Sequence, residues 1–469
     1  DSGKKWFPYN KGGAARKWYG NNDYIINWQD RGQELIGKAA ADGRNVSNYP
    51  DELKFIPIGT WSLITSGRPT FRYKIHQLSD IAGMSFYKTK DVDEDLFMYI
   101  LGFCNTKIGE YILEIISPTM NFQAGDVARL PIIVDKSKLH TVADIVRQCV
   151  TLAKEDWDAW ETSWDFGRHP FIRTSSIARM AESWSVWQCE CAARIQSLKE
   201  KEEALNRLFI KIYGLEDEFT AELSDVDVTL REGNLTRDVK LFISYAVGCM
   251  FGRFSLEGET FALTKRSYKA EKYILMLDEA YFSDDIAVRF VSFVKAIYGP
   301  DYLEENLGFI ASALNMRGTN SREKIRNYFL KDFYKDHLKI YQKRPIYWLF
   351  DSGRENGFKA LAYIHHWDED LIGRVRVEGL HRLQRFYENE INRLGQTVAA
   401  GVDSREKALL AKKIAKLTRQ IKEVRDYDAK LGHLASQRLT IDLDDGIKVN
   451  HKRVQTAANG ISLDILAKI

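Results

Sequence analysis

The sequence predicts an α+β unit followed by a mainly α-helical region that carries small β-hairpins and an antiparallel helical hairpin. Three observations lead there. Up to about residue 135, short aromatic and β-branched runs alternate with Gly, Asn and Pro, the punctuation of short strands. From about residue 140 to 340, apolar residues, many of them Tyr and Phe, recur at helical spacings of three and four. Beyond residue 377, two apolar seams flank a break rich in small residues, the pattern of two helices folded back on each other. With 469 residues the chain exceeds one ordinary core. Four segments are expected: 1–135, 136–215, 216–370 and 371–469.

In chain order, DYIINW, KFIPIGTWSLIT, FRYKI and GMSFY read as short strands, and LFMYILGFCNTKIGEYILEII as one helix. In NFQAGDVARLPII a polar turn at Gly125 and Asp126 leads into an apolar run interrupted by Pro131. Proline lacks a ladder donor, so Leu130 to Ile133 is expected to be an edge strand that closes the first unit. Residues 140–155 read as a helix. DWDAWETSWDFGRHPF then interrupts with three tryptophans and Pro170, and Ser176 to Tyr213 reads as one long helix stopped by Gly214. Residues 345–366 form two runs around a turn rich in Gly and Asn, a β-hairpin. Leu380, Leu383, Tyr387, Ile391 and Leu394 share a helical face. After GQTVAAGVDS, Leu410, Ile414, Leu417, Ile421, Val424 and Leu431 share another, with Lys and Arg on the outer faces. The tail LTIDLDDGIKVN reads as a hairpin around Asp445 and Gly446.

Lys and Arg number 68 against 65 Asp and Glu, a formal charge of +3 that neither demands nor excludes nucleic acid. The distribution is more informative: residues 1–74 hold 12 cations and 7 carboxylates. Five cysteines without a CxxC pair suggest reduced thiols and a cytoplasmic location rather than a disulfide framework. No basic-then-apolar leader is seen, and LFISYAVGCMF is too short to span a bilayer, so no membrane partner is expected. A start at Asp1 without methionine suggests a fragment of a longer protein.

Catalytic motifs are scarce. No GxxxxGK[ST] loop or GxSxG elbow occurs. His365 and His366 are adjacent and, on a strand, point to opposite faces, which disfavours a zinc site. Asp442, Asp444 and Asp445 are the candidates for a magnesium-dependent nuclease, although an acidic turn explains them more simply. DSGRENGF follows no βαβ pattern that would make it a phosphate loop. Methyl transfer to a DNA base needs a glycine loop for S-adenosylmethionine and an Asn/Asp-Pro-Pro-Tyr/Phe loop for the flipped base, and no Pro-Pro dipeptide exists among the 9 prolines.

Recognition chemistry does persist. WFPYNKGGAARKWYGNNDY interleaves Lys11, Arg16 and Lys17 with aromatic residues and adds Asn10, Asn21 and Asn22. ITSGRPTFRYK places Thr65, Ser66, Arg68, Arg72, Tyr73 and Lys74 around a Gly67-Arg68-Pro69 turn. Hydroxyls and cations on a rigid loop suit a phosphate backbone, and arginine reads guanine bidentately. Composition alone slightly favours the plainer alternative, in which the aromatic residues are core and the charges a solvated face.

Six stretches in order carry a resemblance: KKWFPYNKGGAARKWYGNNDYIINW, ITSGRPTFRY, SPTMNFQAGDVARLPI, DWDAWETSWDFGRHPF, LNRLFIKIYGLEDE and RPIYWLFDSGRENGFKALAYIH. Through them the chain resembles the C-terminal half of the PglX family, the adenine-specific DNA methyltransferases of BREX-type phage-defence systems. The phrase NFQAGDVARLPI is similar to one that commonly closes target recognition domains of restriction-modification proteins. The resemblance implies that residues 1 to about 135 read double-stranded DNA and that the later helices position them. It also implies adenine-N6 methylation with S-adenosylmethionine by the full-length protein. The implied partners are DNA, the missing N-terminal methyltransferase domain and other BREX components. The family's catalytic motifs are absent, so no methylating residue and no cofactor is carried onto this chain. On this reading Lys11, Arg16, Lys17, Arg72 and Lys74 hold phosphates, and Ser66, Arg68, Tyr73 and Asn22 lie nearer the bases. Asn21 and Thr65 complete the candidate set. A competing reading makes the basic-faced hairpin around residues 377–432 a scaffold for other defence components.

Overall fold

A computed structural model describes residues 3–44, 49–173, 177–255 and 271–469. The chain divides into two compact units, Asp1–Gly167 with Val186–Gly233, and Arg168–Ser185 with Asn234–Ile469. The observed architecture is the α+β-then-helical layout expected from the sequence.

In the first unit, strands β1 (Trp6–Asn10), β2 (Tyr24–Asn27), β3 (Ile58–Ser62), β4 (Arg72–Lys74), β5 (Leu78–Ser79) and β6 (Gly83–Tyr87) form two three-stranded sheets of order β2-β1-β5 and β4-β3-β6. All pairs are antiparallel except β1 with β5. Gly59 sits mid-strand because Phe86 covers it: a Cβ there would come within 2.1 Å of the ring. Helices α1 (Gln33–Ala41), α2 (Glu94–Cys104), α3 (Lys107–Ile116), α4 (Ala124–Val127), α5 (Leu139–Asp158) and, from Val186 onward, α6 (Met180–Tyr213) complete the set. One apolar core joins Trp61 and Phe71 of the sheet to α2, α5 and the later part of α6, so the expected boundary at residue 135 runs through a continuous core.

Three expectations for this region are corrected. The single helix over residues 96–116 is two helices. Asn105 leaves the helical path because its side chain both donates to and accepts from the Phe71 backbone, and Thr106 then caps α3 by accepting from the Gly109 amide. Leu130 to Ile133 is not a strand. Two tyrosine hydroxyls replace a ladder there: Tyr213 donates to the Pro131 carbonyl at 2.6 Å and accepts from the Ile133 amide, while Tyr99 donates to the Ile133 carbonyl. The long helix begins at Met180 rather than Ser176, which lies outside the described residues. It ends as expected at Gly214, whose φ is +64°.

In the second unit, α7 (Leu235–Met250), α8 (Ile286–Tyr298), α9 (Leu303–Leu314), α10 (Ser321–Tyr328) and α11 (Tyr334–Ile340) accompany strands β7 (Tyr273–Leu275), β8 (Tyr347–Asp351) and β9 (Lys359–Tyr363). The expected hairpin is β8–β9, and β7 joins its open edge in the order β7-β9-β8. The DSGRENG turn wraps a carboxylate from within the protein. Glu423 accepts from Ser352 Oγ at 2.7 Å, the Glu355 amide at 2.8 Å and the Gly357 amide at 2.9 Å. Gly353, with φ +140°, leaves room for it, since a Cβ would fall 2.7 Å from Glu423 Oε2.

Helix α12 (Leu371–Arg374) runs through a π-helical stretch into α13 (His381–Ala399), and after a short loop Asp403 caps α14 (Ser404–Ala435). The helices are antiparallel: Arg376 pairs with Asp428, Arg425 with Glu388 and Lys413 with Glu390. Leu383, Tyr387, Leu394, Leu417, Val424 and Leu431 of the expected seams are buried, and the core they form continues into β8 and β9 across the expected boundary at residue 370.

The tail hairpin is replaced by a helical turn and α15 (Ile447–Arg453), because Asn450 reaches back to the Asp442 carbonyl and closes the turn locally. His365 and His366 lie on a turn after β9, not on a strand. Among the described residues, no helix is long and apolar enough to cross a membrane.

Candidate nucleic-acid interface

The segment Arg16–Asn22 is not a surface. It is a strap drawn between the sheets and the helices of the first unit. Trp18, fully buried with φ +71°, donates its backbone amide to the Phe71 carbonyl at 2.8 Å and accepts from the Tyr73 amide at 2.7 Å. Its indole donates to Glu202 at 2.6 Å, and Lys17 pairs with the same carboxylate at 3.1 Å. Arg16 pairs with Asp156 at 2.7 Å, donates to the Tyr19 and Ala153 carbonyls, and stacks over Trp157.

Two further cations of the expected phosphate set, Arg72 and Lys74, are deeper still. Arg72 has no exposed surface and donates to the Arg16 carbonyl, Thr70 Oγ1 and Ser62 Oγ; burial, reinforced by Arg16, lowers its pKa to about 10. Lys74 donates to the Asn21 carbonyl at 2.7 Å, and burial, with Arg72 nearby, holds its pKa well below the ordinary lysine range. Asn21 donates to the Ala14 carbonyl, and Asn22 accepts from Gln77. Tyr73 packs edge-on against Phe97 in the core. Arg16, Lys17, Asn21, Asn22, Arg72 and Lys74 are therefore corrected from contact residues to structural ones, since their side chains hydrogen-bond within the protein, while Tyr73 is half-buried with its ring against Phe97.

The rest of the set lies elsewhere and comes together. The chain beyond β3 is flanked by two other loops. Leu63 donates to the Ala82 carbonyl and Thr65 to the Met120 carbonyl, both at 3.0 Å, and Phe122 donates to the Leu63 carbonyl at 2.8 Å. Ser62 Oγ exchanges hydrogen bonds with both backbone groups of Gly13. Gly12, with φ +75°, allows this closeness, since a Cβ would lie 2.7 Å from the Ala82 carbonyl. Four loops, residues 11–15, 64–69, 80–82 and 118–121, are thus pinned at one end of the β4-β3-β6 sheet.

Exposed on these loops are two cations, Lys11 beside Asp80 at 4.0 Å and Arg68 beside Glu110 at 3.2 Å and Asp227 at 3.6 Å. The side chains of Lys11 and Arg68 remain 47% and 61% exposed. Ser66 is exposed, and the Thr65 hydroxyl accepts from the Gly67 amide and fixes the turn. Sequence reasoning missed the remaining members. Ile64, Ile81 and Met120 project one from each of three loops at 68%, 67% and 62% exposure. Asn121 and Gln123, joined through their amides, are also exposed. The signal was present in NFQAGD, the phrase singled out as a boundary, whose polar residues border the cluster.

Asp442 accepts from the Asp444 amide at 2.9 Å and Asp445 pairs with Arg453, so the acidic group closes its own turn. Among the described residues, no group of three or more His, Cys, Asp or Glu is arranged to hold a metal ion. Among the described residues, the three small sheets contain one parallel strand pair, β1 with β5.

Fold and site together define an α+β unit with loops clustered at one sheet end, in a chain that also carries a mainly helical unit. No family model matches the chain. It is 40% identical over 477 residues to a protein named adenine-specific methyltransferase PglX from Lacticaseibacillus casei (strain Zhang), covering 96% of this chain and 39% of that protein. It is 33% identical over 488 residues to adenine-specific methyltransferase BrxX from Escherichia coli O9:H4 (strain HS), covering 95% and 39%. The chain belongs to the PglX family and spans about two fifths of the length of these curated relatives, 39% in each case.

Proposed function

We propose that the first unit is the DNA-reading part of a site-specific adenine methyltransferase of a BREX-type defence system, and that the four-loop cluster is its contact surface. The observation that carries this reading is the convergence of exposed chemistry on one sheet end. Lys11 and Arg68 supply cations for phosphates or a guanine edge, Asn121 and Gln123 amides for adenine, and Ile64, Ile81 and Met120 apolar contact for thymine methyl groups. The buried strap keeps those loops rigid, which limits the ordering cost of binding. Methyl transfer, and S-adenosylmethionine with it, belongs to the part of the full-length protein outside these residues.

Duplex affinity of the chain, measured by fluorescence anisotropy across a salt series, tests the reading. Lys11→Ala is expected to weaken binding similarly for all sequences and to flatten the log-log salt slope by ~1. Arg68→Ala is expected to weaken binding and relax sequence preference. Unchanged affinity in both variants at low salt refutes the placement.

A further inference from the structure

The first half of α14 carries seven cations (Arg405, Lys407, Lys412, Lys413, Lys416, Arg419 and Lys422) and one carboxylate, Glu406, between residues 404 and 422. An ordinary solvated helix face interleaves both signs at spacings of three and four. Here the cations divide by direction. Lys413, Lys416 and Arg419 reach Glu279, Glu390, Asp278 and Glu355. Arg405, Lys407, Lys412 and Lys422, with Lys430 further along, are exposed and have no carboxylate within ion-pair distance among the described residues. At ~1.5 Å rise per residue, the row from Arg405 to Lys430 extends ~37 Å, close to one turn of a duplex. Glu406 and Asp426 are the exposed carboxylates of α14 along it.

We propose that this outer face of α14 is a second, sequence-independent contact to the phosphate backbone of double-stranded DNA. The inference goes beyond the loop cluster and rests on different residues in the other unit. Charge selects an anionic partner, and the remaining surface selects nucleic acid over protein. Protein interfaces are anchored by large apolar or aromatic side chains. Between the cations this face shows Ser404, Ala408, Ala411, Ala415 and Thr418, and Leu409 is the one large apolar side chain of α14 exposed to solvent. A row of lysines and arginines with no anchor suits a rod of regularly spaced phosphates.

The test uses the whole chain with Arg405→Gln, Lys412→Gln and Lys422→Gln combined, all outward-facing and remote from the loop cluster in sequence. Circular dichroism is expected to show unchanged helicity. On a duplex of arbitrary sequence, the log-log salt slope is expected to fall by ~2–3 and affinity at low salt by at least tenfold, with sequence preference unaltered. An unchanged slope overturns the proposal, equally so if the variant instead loses binding to an acidic protein. Because Lys11→Ala and Arg68→Ala report on the loop cluster, loss of slope in those variants alone leaves the recognition reading standing while this one falls. Failure of the unaltered chain to bind any duplex at low salt removes both.

Discussion

Glu202 is the keystone of the strap, and its removal can be worked through. Its side chain is 2% exposed and accepts from the Trp18 indole at 2.6 Å and from Lys17 Nζ at 3.1 Å. Glu202→Ala leaves a buried indole N–H without an acceptor and a lysine, 12% exposed at its side chain, without its nearest carboxylate. Hydrogen bonds to a charged partner contribute about 1.5–3 kcal/mol each, and breaking one side of a buried pair costs about 3–5 kcal/mol. The two figures describe overlapping losses, so about 3–5 kcal/mol is the expected total. For a unit of this size that lowers Tm by roughly 6–20 °C. Glu202→Gln keeps an acceptor for Trp18 and loses only the charge, so it is expected to fall between wild type and alanine. Urea unfolding followed by circular dichroism measures both. DNA affinity per folded molecule is expected to stay near wild type, because Lys17 is structural. A destabilisation under about 1 kcal/mol, or DNA binding lost while the fold stays intact, refutes this account of the strap.

Three further outcomes follow from the same physics. Lys74 has a depressed pKa in the folded state, so the unfolded chain binds more protons and the cost of its burial is lifted as pH rises from the folded pKa toward the ordinary lysine value. Lys74→Met is therefore expected to be as stable as wild type at pH 7 or more stable by up to about 4 kcal/mol. That advantage should shrink in chemical unfolding at pH 9.5, and an advantage that grows with pH contradicts the sign. Glu423→Ala removes the acceptor of Ser352 and of the Glu355 and Gly357 amides, and is expected to raise hydrogen exchange at those two amides more than tenfold, a free-energy change of about 1.4 kcal/mol or more. Gly12→Ala places a Cβ against the Ala82 carbonyl at φ +75°, and is expected to weaken DNA binding through displaced loops without unfolding the core, as judged by anisotropy and near-ultraviolet dichroism together.

The fold was largely legible because its signals are local. The seams of α13 and α14, the β8–β9 turn and the Gly214 stop each lie within a few residues of the element they specify. The failures share a cause in distant partners. Pro131 looked like a strand closer because nothing nearby reveals that Tyr99 and Tyr213 supply its segment's hydrogen bonds. Arg16, Lys17, Arg72 and Lys74 looked like phosphate ligands because interleaved cations and aromatics are also how a buried strap is built. Asp156 and Glu202, which anchor two of them, lie far along the chain. Asp442 to Asp445 has a hairpin's composition, and only the position of Asn450 makes it a helical entry. Of the candidate site, Lys11, Ser66 and Arg68 were readable as exposed because they sit in glycine-rich turns. Ile64, Ile81 and Met120 were not, since exposure of an isolated aliphatic residue has no sequence signature.

The central claim is that the four-loop cluster sets which sequence is gripped. Binding the purified chain to a random duplex library and sequencing what is retained, before and after residues 64–68 and 118–123 are exchanged for those of a relative, tests it most directly. An enriched motif that changes with the exchange is the expected result. A motif that survives the exchange intact, in a chain that still folds and binds, places sequence reading elsewhere in the molecule.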